Sequence, residues 1–249
     1  MSEEALRRAL AGAGLSAPVR WDETTASTNT IARELAAEGT PPWSLVAAGH
    51  QTAGRGRAGR AWHDRPGAAL LFSVVLRPAW EPDRVGLVSL AAGAAMAEAA
   101  SEASDVEVRC KWPNDLLAGA AKVGGVLGET EITEGRIAHV VVGVGVNLEA
   151  PGGMPDAGAI GPVPEEELLS GFLRRFRSLV DGVPGAIVDR WRAVSATLGR
   201  QVAATTVGGE TARGVAVGLD GTGALLVETD AGRVRVAFGE IEHLRVDQG

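Results

Sequence analysis

The period of the apolar positions changes several times along the chain, and each change marks an element. A short helix is predicted from Ser2 to Leu10, with Glu3 and Glu4 in the first turn, where negative charge suits the helix dipole, and Gly12 past its end. Ile31 and Leu35, four apart, predict a second helix capped by Ser27 or Thr28 and stopped at Gly39. Val19 to Asp22 is a first strand candidate, and Ser44 to Ala48 and Ala68 to Leu76 are continuous apolar runs of the kind buried strands show. An apolar helix through Val88, Ala92 and Met96 follows, buried on most sides, with Asp83 as its expected cap. Four strands come next: Val106 to Cys110, Leu116 to Leu117, Val123 to Ile132 and Ile137 to Val146, the last two joined at Thr133-Glu134-Gly135.

Beyond a Pro/Gly-rich linker, Glu149 to Pro164, two helical stretches run from Glu165 to Val180 and from Pro184 to Leu198. The last stretch changes character. Short β-rich runs alternate with turns at Gly208-Gly209, Asp220-Gly221 and Asp230-Ala231-Gly232, predicting a small antiparallel barrel. The pattern therefore reads as an α+β domain with a small β domain behind it.

Composition narrows the function classes. The chain has 249 residues, which suggests one or two domains and a core large enough to need no disulfide or metal staple. With 24 basic and 31 acidic residues the net charge is −7, a poor match for general binding to nucleic acid or anionic membrane. Cys110 is the single cysteine, so no disulfide framework exists, and it has no histidine nearby in sequence to activate it. His50, His63, His139 and His243 share no metal-ligand spacing, so no structural metal is expected. The N-terminus lacks the apolar stretch of a signal peptide. The uncharged run between Arg84 and Glu98 falls short of the about 20 residues of a membrane span. A cytoplasmic location is the expectation.

Three strings carry candidate chemistry. Gly54, Gly56 and Gly59 satisfy G-x-G-x-x-G, but a loop and a strand follow where a dinucleotide fingerprint needs a helix. What remains is Arg55, Arg57 and Arg60 in a glycine frame, suited to wrapping a phosphoanhydride, or else a solvated loop or a short RNA contact. In KWPNDLL, Pro113 bends the chain between Lys111 and Asp115, a pair able to serve a phosphate and its Mg²⁺, or to form a surface ion pair on a turn. Lys122 precedes Gly124 and Gly125, which would let a ligand approach the strand backbone; an edge-strand lysine is the plainer alternative. Ser73 has no nucleophile-elbow frame and reads as a strand residue.

In this order, STN (Ser27 to Asn29), GHQTAGRGRAGRAW (Gly49 to Trp62), KWPNDLL, KVGGVLGE (Lys122 to Glu129) and GVGVNL (Gly143 to Leu148) resemble the biotin–protein ligases. Ala58 departs from that pattern where a basic residue is frequent, and Val123-Gly124 replaces a commoner Leu-Ala or Leu-Gly. The resemblance implies a class II synthetase-like catalytic domain with a mixed or antiparallel sheet and helices, residues 1–198. A small C-terminal Src-homology-3-like β-barrel, residues 199–249, would follow. It implies ATP and biotin as substrates with Mg²⁺, activation of biotin to biotinyl-5′-AMP, and transfer to a lysine of a biotin carboxyl carrier domain.

Carried over by position, Ser27, Thr28 and Asn29 would line the ureido end of biotin, with Gln51 adding a polar contact. Arg55, Gly56 and Arg57 would fold over the carboxyl and phosphate groups, and Gly124 would leave room for biotin. Lys122, Arg57 and Lys111 would be the catalytic cations, with Lys122 at the acyl-phosphate junction and Asp115 bearing indirectly on Mg²⁺. Arg60, Asn114 and Asn147 would attend the nucleotide, and Trp62 would cover the adenine or act as a hydrophobic plug. The loop Gly54 to Arg60 is expected to be mobile until an anion meets its unpaired arginines. With no room for a recognition helix ahead of Val19, no DNA partner is expected, and a homodimer stays open. The competing readings are a lipoate or octanoate ligase or transferase on the same fold, and an RNA-binding module using GRGRAGR.

Overall fold

The structure, a computed structural model, describes residues 1–206, 208–237 and 239–244; positions 245–249, the end of the expected barrel, lie outside the described residues. Seven strands form the larger sheet: β1 (Val19–Asp22), β2 (Leu45–Ala48), β3 (Ala69–Leu76), β4 (Val108–Lys111), β5 (Asp115–Ala118), β6 (Ala121–Thr133) and β7 (Arg136–Asn147). Their order is β1-β2-β3-β7-β6-β5-β4, with β1 and β2 parallel and every other neighbour antiparallel. The β6–β7 hairpin closes through Glu134 and Gly135, both at positive φ (52° and 73°), the two-residue turn whose twist matches the strands.

Strand β3 is buried along its whole length, and its alternation divides the sheet into two faces. Phe72, Val74 and Leu76 face a core built by α1 (Glu3–Gly12), α3 (Gly86–Ala103), α4 (Glu165–Val180) and α5 (Pro184–Ala193). Val75, with Val46 and Val141, faces α2 (Thr28–Ala37) across Ile31, Ala32 and Ala36. From Leu90 to Ala97 helix α3 is apolar on every side because it is covered on every side: the sheet lies beneath it, and α4 and α5 lie over it. Phe72 meets Phe172 edge-on at 5.1 Å, and Phe172 stacks on Phe176 at 5.1 Å, fixing α4 to the sheet. None of the described helices is long and apolar enough to cross a membrane.

Three expectations change. Asp83 does not cap α3: it lies in a 3-10 turn, Pro82–Arg84, and the helix starts at Gly86 with no side-chain cap. Val88 N–H is satisfied by the turn's end, Val85 O, at 3.1 Å. Helix α5 stops at Ala193 rather than Leu198, because the chain there leaves to pair with β4: Cys110 N–H donates to Val194 O at 2.8 Å and Ala196 N–H to Cys110 O at 2.7 Å. The linker after Glu149 is folded onto the sheet, with Lys122 N–H donating to Asp156 O and Gly158 N–H to Lys122 O, both at 2.8 Å.

The second sheet is antiparallel, in the order β11-β10-β9-β8-β12, from β8 (Gln201–Thr206), β9 (Thr211–Leu219), β10 (Leu225–Thr229), β11 (Gly232–Val236) and β12 (Gly239–His243). Among the described residues its ladder is open between β11 and β12. It shares one apolar core with the larger sheet, and Trp112 Nε1 donates to Gly223 O at 3.1 Å across the junction. Thr197, fully buried, accepts from Trp112 N–H at 3.0 Å and lies 3.2 Å from His243 Nε2.

That junction carries a pH dependence. Burial above all, then Lys111 and Arg200, lowers His243 to about 4. Unfolded chains take up that proton near pH 6.5, whereas the folded protein refuses it until about pH 4. Stability should therefore fall as pH drops from 6.5 to 4 and gain no further loss from this group below that. Melting temperatures across pH 4–7 should fall less steeply in His243→Asn than in the wild type; parallel curves would remove His243 as the cause.

Candidate active site

A cavity opens on the α2 face of the sheet, between the N-terminus of that helix, strands β6 and β7, and the arginine loop. At its closed end Ser27, Thr28 and Asn29 are buried at 3%, 3% and 4% exposure. Ser27 holds the N-cap position of α2, yet its hydroxyl makes no cap bond; Thr28 N–H instead donates to Gln51 Oε1 at 2.8 Å. Thr28 Oγ1 lies 3.1 Å from the same oxygen. Asn29 Nδ2 donates to Glu129 Oε2 at 2.8 Å and Leu127 O at 3.3 Å, so its carbonyl turns to Ser73 Oγ, 2.6 Å away.

The floor is glycine because other side chains occupy the space. A Cβ on Gly143 would collide with the Asn29 amide, and one on Gly145 would sit 2.8 Å from the Trp62 ring. We expect Gly143→Ala to push Asn29 out of place and raise the KM of the cavity's ligand at least tenfold, by about 1.4 kcal/mol per tenfold. Equal KM values in wild type and variant would show that Asn29 does not shape the site.

The open end is cationic. Lys122 Nζ lies 2.5 Å from Asp115 Oδ1, and its chain passes over Gly125, where a Cβ would be 3.7 Å from Nζ. Arg57 reaches Asn114 Oδ1 at 3.5 Å and Gly239 O at 3.4 Å, and among the described residues it forms no ion pair. Burial lowers its pKa from the ordinary arginine value; Glu240 and Asp115 oppose the shift and Arg60 adds to it. The other two arginines are committed: Arg55 pairs with Glu129 at 2.7 Å and Arg60 with Glu240 at 2.5 Å. The expectation of three unpaired arginines is therefore corrected, since their partners sit on β6 and β12, far away in sequence.

At the base of this loop Asp64, its side chain fully buried, lies 2.8 Å from His50 Nδ1 and accepts from Gln51 N–H at 3.3 Å. Asp64 thereby ties the two stems of the loop together. Trp62 Nε1 is buried with no partner among the described residues, a donor left at the cavity wall.

Of the residues singled out in sequence, Thr28, Asn29, Gln51, Gly56 and Arg57 line this cavity, as do Arg60, Trp62, Asn114 and Lys122. Ser27 lies behind Thr28, and Arg55 turns to Glu129. Gly124 is corrected: it faces Leu116 and Gly145 O on the opposite side of β6, and Gly125 lines the cavity. Lys111 stands opposite Asp115 in the β4–β5 ladder and lies outside the cavity lining. Asn147 donates to Gly158 O at 2.9 Å and accepts from Ile160 N–H at 3.0 Å, so it anchors the folded linker. Ser73 and Glu129 were missed as site residues; the available signal for Ser73 was one hydroxyl in an otherwise apolar strand.

No group of three or more His, Cys, Asp or Glu able to hold a metal occurs among the described residues, and Asp115 is engaged by Lys122. Cys110 is buried against Gly93, and desolvation first, then Glu98, holds its thiol far above the ordinary range, so it is no nucleophile.

The cavity sets hydrogen-bonding oxygens at its buried end against cations at its mouth. The chain belongs to the biotin/lipoate A/B protein ligase family, whose model matches residues 21–147, and the biotin protein ligase C-terminal domain matches residues 197–244. The chain is 34% identical to the biotin–[acetyl-CoA-carboxylase] ligase of Mycobacterium tuberculosis, over 98% of this chain and 96% of that one. It is 30% identical to the bifunctional ligase/repressor BirA of Bacillus subtilis, over 97% of this chain and 79% of that one. Among solved structures, the biotin protein ligase from Aquifex aeolicus in complex with biotin and ATP superposes with a TM-score of 0.75 at 26% identity, covering 92% of this chain and 99% of that one.

Proposed function

We propose that this chain is an ATP-dependent biotin–protein ligase. The biotin carboxylate attacks the α-phosphorus of ATP, the bond to pyrophosphate breaks, and biotinyl-5′-AMP remains; a lysine amine of a biotin carboxyl carrier domain then displaces AMP. The observation that carries this reading is the oxygen-lined end of the cavity facing Lys122 and Arg57 at its mouth. The first step brings two anions together, and cations already in place when the reacting groups meet lower that barrier most. Asp115 holds Lys122 at the mouth, and Arg57 spans from the loop to Asn114 and the second sheet. A Mg²⁺ accompanying ATP belongs to that substrate, and no step is assigned to it.

The relatives named as biotin–[acetyl-CoA-carboxylase] ligases support a carboxyl carrier domain as acceptor. The same reading assigns residues 1–198 to catalysis and 199–249 to a C-terminal domain, acting in the cytoplasm. The octanoyl-transferase alternative needs a reactive cysteine, which buried Cys110 does not supply. The RNA-binding alternative needs free arginines, whereas Arg55 and Arg60 are paired. Pyrophosphate exchange into ATP should depend on biotin and stay at background with lipoate or octanoate; exchange driven by lipoate alone would overturn the assignment.

A further inference from the structure

Glu129 stands on β6 outside the cavity lining, and three side chains meet on its carboxylate. Oε2 accepts from Asn29 Nδ2 at 2.8 Å and from Arg55 at 2.7 Å, and Oε1 accepts from Arg33 at 3.2 Å. Asn29 is buried, lines the cavity, and has its amide between two sets of partners. Nδ2 donates to Leu127 O and Glu129 Oε2. Oδ1 accepts from Ser73 Oγ at 2.6 Å and is the side-chain atom of Asn29 nearest the cavity floor at Gly143.

The hydroxyls alone would favour the opposite amide orientation. Ser73 carries one proton and faces two acceptors, Thr28 Oγ1 at 2.8 Å and Asn29 Oδ1, while the Thr28 proton goes to Gln51 Oε1 at 3.1 Å. With the Asn29 amide turned over, Nδ2 would donate to Ser73, Ser73 to Thr28 and Thr28 to Gln51, each proton used once. What opposes that arrangement lies on the other side of the amide. There Oδ1 would face Leu127 O and the Glu129 carboxylate, both pure acceptors. Leu127 O is the more distant, at 3.3 Å, and carries no net charge, so the carboxylate decides the orientation.

The geometry points to Glu129 as a specificity-setting positioning residue: from outside the cavity it fixes the Asn29 amide so that an accepting oxygen, and not an NH₂ group, faces the closed end. This inference rests on the biotin-ligase reading above, in which the group arriving there is a ureido ring with N–H donors. An acid whose ring carries no N–H, such as a dithiolane acid, leaves that oxygen short of a donor and is disfavoured. Arg33 and Arg55 balance the charge of the carboxylate, which is 22% exposed. Without Glu129 the amide turns over and meets the ligand N–H with an N–H of its own.

The test varies protein and ligand together and reads the KM for the acid in pyrophosphate exchange. Glu129→Ala should raise the KM for biotin tenfold or more, with kcat within threefold of wild type. Two cyclic carbamate analogues of biotin, each with a ring oxygen in place of one ureido N–H, locate the contact. Wild type should bind at least one of them tenfold more weakly than biotin, and for one such isomer Glu129→Ala should change KM less than twofold. A second arm reverses the sign. Asn29→Asp sets a carboxylate against Glu129 and should bind biotin at least tenfold more weakly than wild type. Adding Glu129→Ala to it should recover most of that loss, because Asp presents an oxygen whichever way it turns; this arm stands if Glu129→Ala alone proves unstable. Equal KM penalties in Glu129→Ala for biotin and both carbamates, or a further loss on adding it to Asn29→Asp, would make Glu129 a packing partner and overturn the inference. Biotin-dependent exchange with either of those patterns overturns this inference alone. Exchange by the wild type with lipoate and not biotin overturns the functional reading, and the inference with it, before any variant is made.

Discussion

Lys122→Ala is expected to lower biotin-dependent pyrophosphate exchange a hundredfold or more, since a preorganised charge at a developing anionic junction contributes about 3 kcal/mol to the transition state. The cation sits at the cavity mouth on a strand, held at 2.5 Å by Asp115, and reaches over Gly125, where an added Cβ would come within 3.7 Å of it. Removing it has a second consequence. Asp115, whose side chain is 19% exposed, is then left without its counter-charge, and a partly buried lone carboxylate destabilises the strand that carries it. Lys122→Ala should therefore also melt lower than wild type. The double variant Lys122→Ala/Asp115→Asn separates the two effects: it should recover most of the melting temperature and none of the rate. A double variant that regains activity along with stability would make Lys122 a structural partner of Asp115 and nothing more.

What sequence could and could not show follows from how far apart the interacting residues lie. The β6–β7 hairpin is legible because its turn is two adjacent residues, Glu134 and Gly135, and α3 is legible because the twelve consecutive positions from Gly86 to Ala97 are all apolar or small. The end of α5 is not, since its continuation is taken over by Cys110 of β4. The site divides in the same way. Thr28, Gln51, Arg57 and Lys122 stand out within compact strings. The pairing of Arg55 with Glu129 and of Arg60 with Glu240 spans 74 and 180 positions and has no local signature. Whether Gly124 or Gly125 faces the ligand depends on strand parity, and the register shift in the β5–β6 ladder between Leu116 and Leu117 hides that parity from any string of letters. Ser73 meets the site through hydrogen bonds to partners 44 and 45 positions away.

The other large effect is expected at Arg57, the link between the loop and the two surfaces it closes upon. The stems of the loop are joined by the Arg55–Ala61 bridge and by Trp62 N–H on Gly54 O at 2.9 Å, but its tip is held to the rest of the protein by Arg57 and by exposed ion pairs. Exposed pairs contribute about 0–1 kcal/mol, so they cannot keep the loop shut alone. Arg57, half-buried and without a carboxylate of its own, is the guanidinium that a bound phosphate would satisfy, and binding would then supply the free energy that seats the loop and shields the mixed anhydride from water. Arg57→Gly should therefore release biotinyl-5′-AMP into solution, labelling bystander lysines on an unrelated protein at least tenfold above wild type. Trypsin reads the loop directly, because Arg55, Arg57 and Arg60 are cleavable while Arg65 is shielded by Pro66. Wild type should lose its cuts in this segment when biotin and ATP are added together. Arg57→Gly should keep being cut at Arg55 and Arg60 under the same conditions. Identical digestion of the wild type with and without ligands would mean that the loop does not close over the adenylate, and any leakage from the variant would then need another cause.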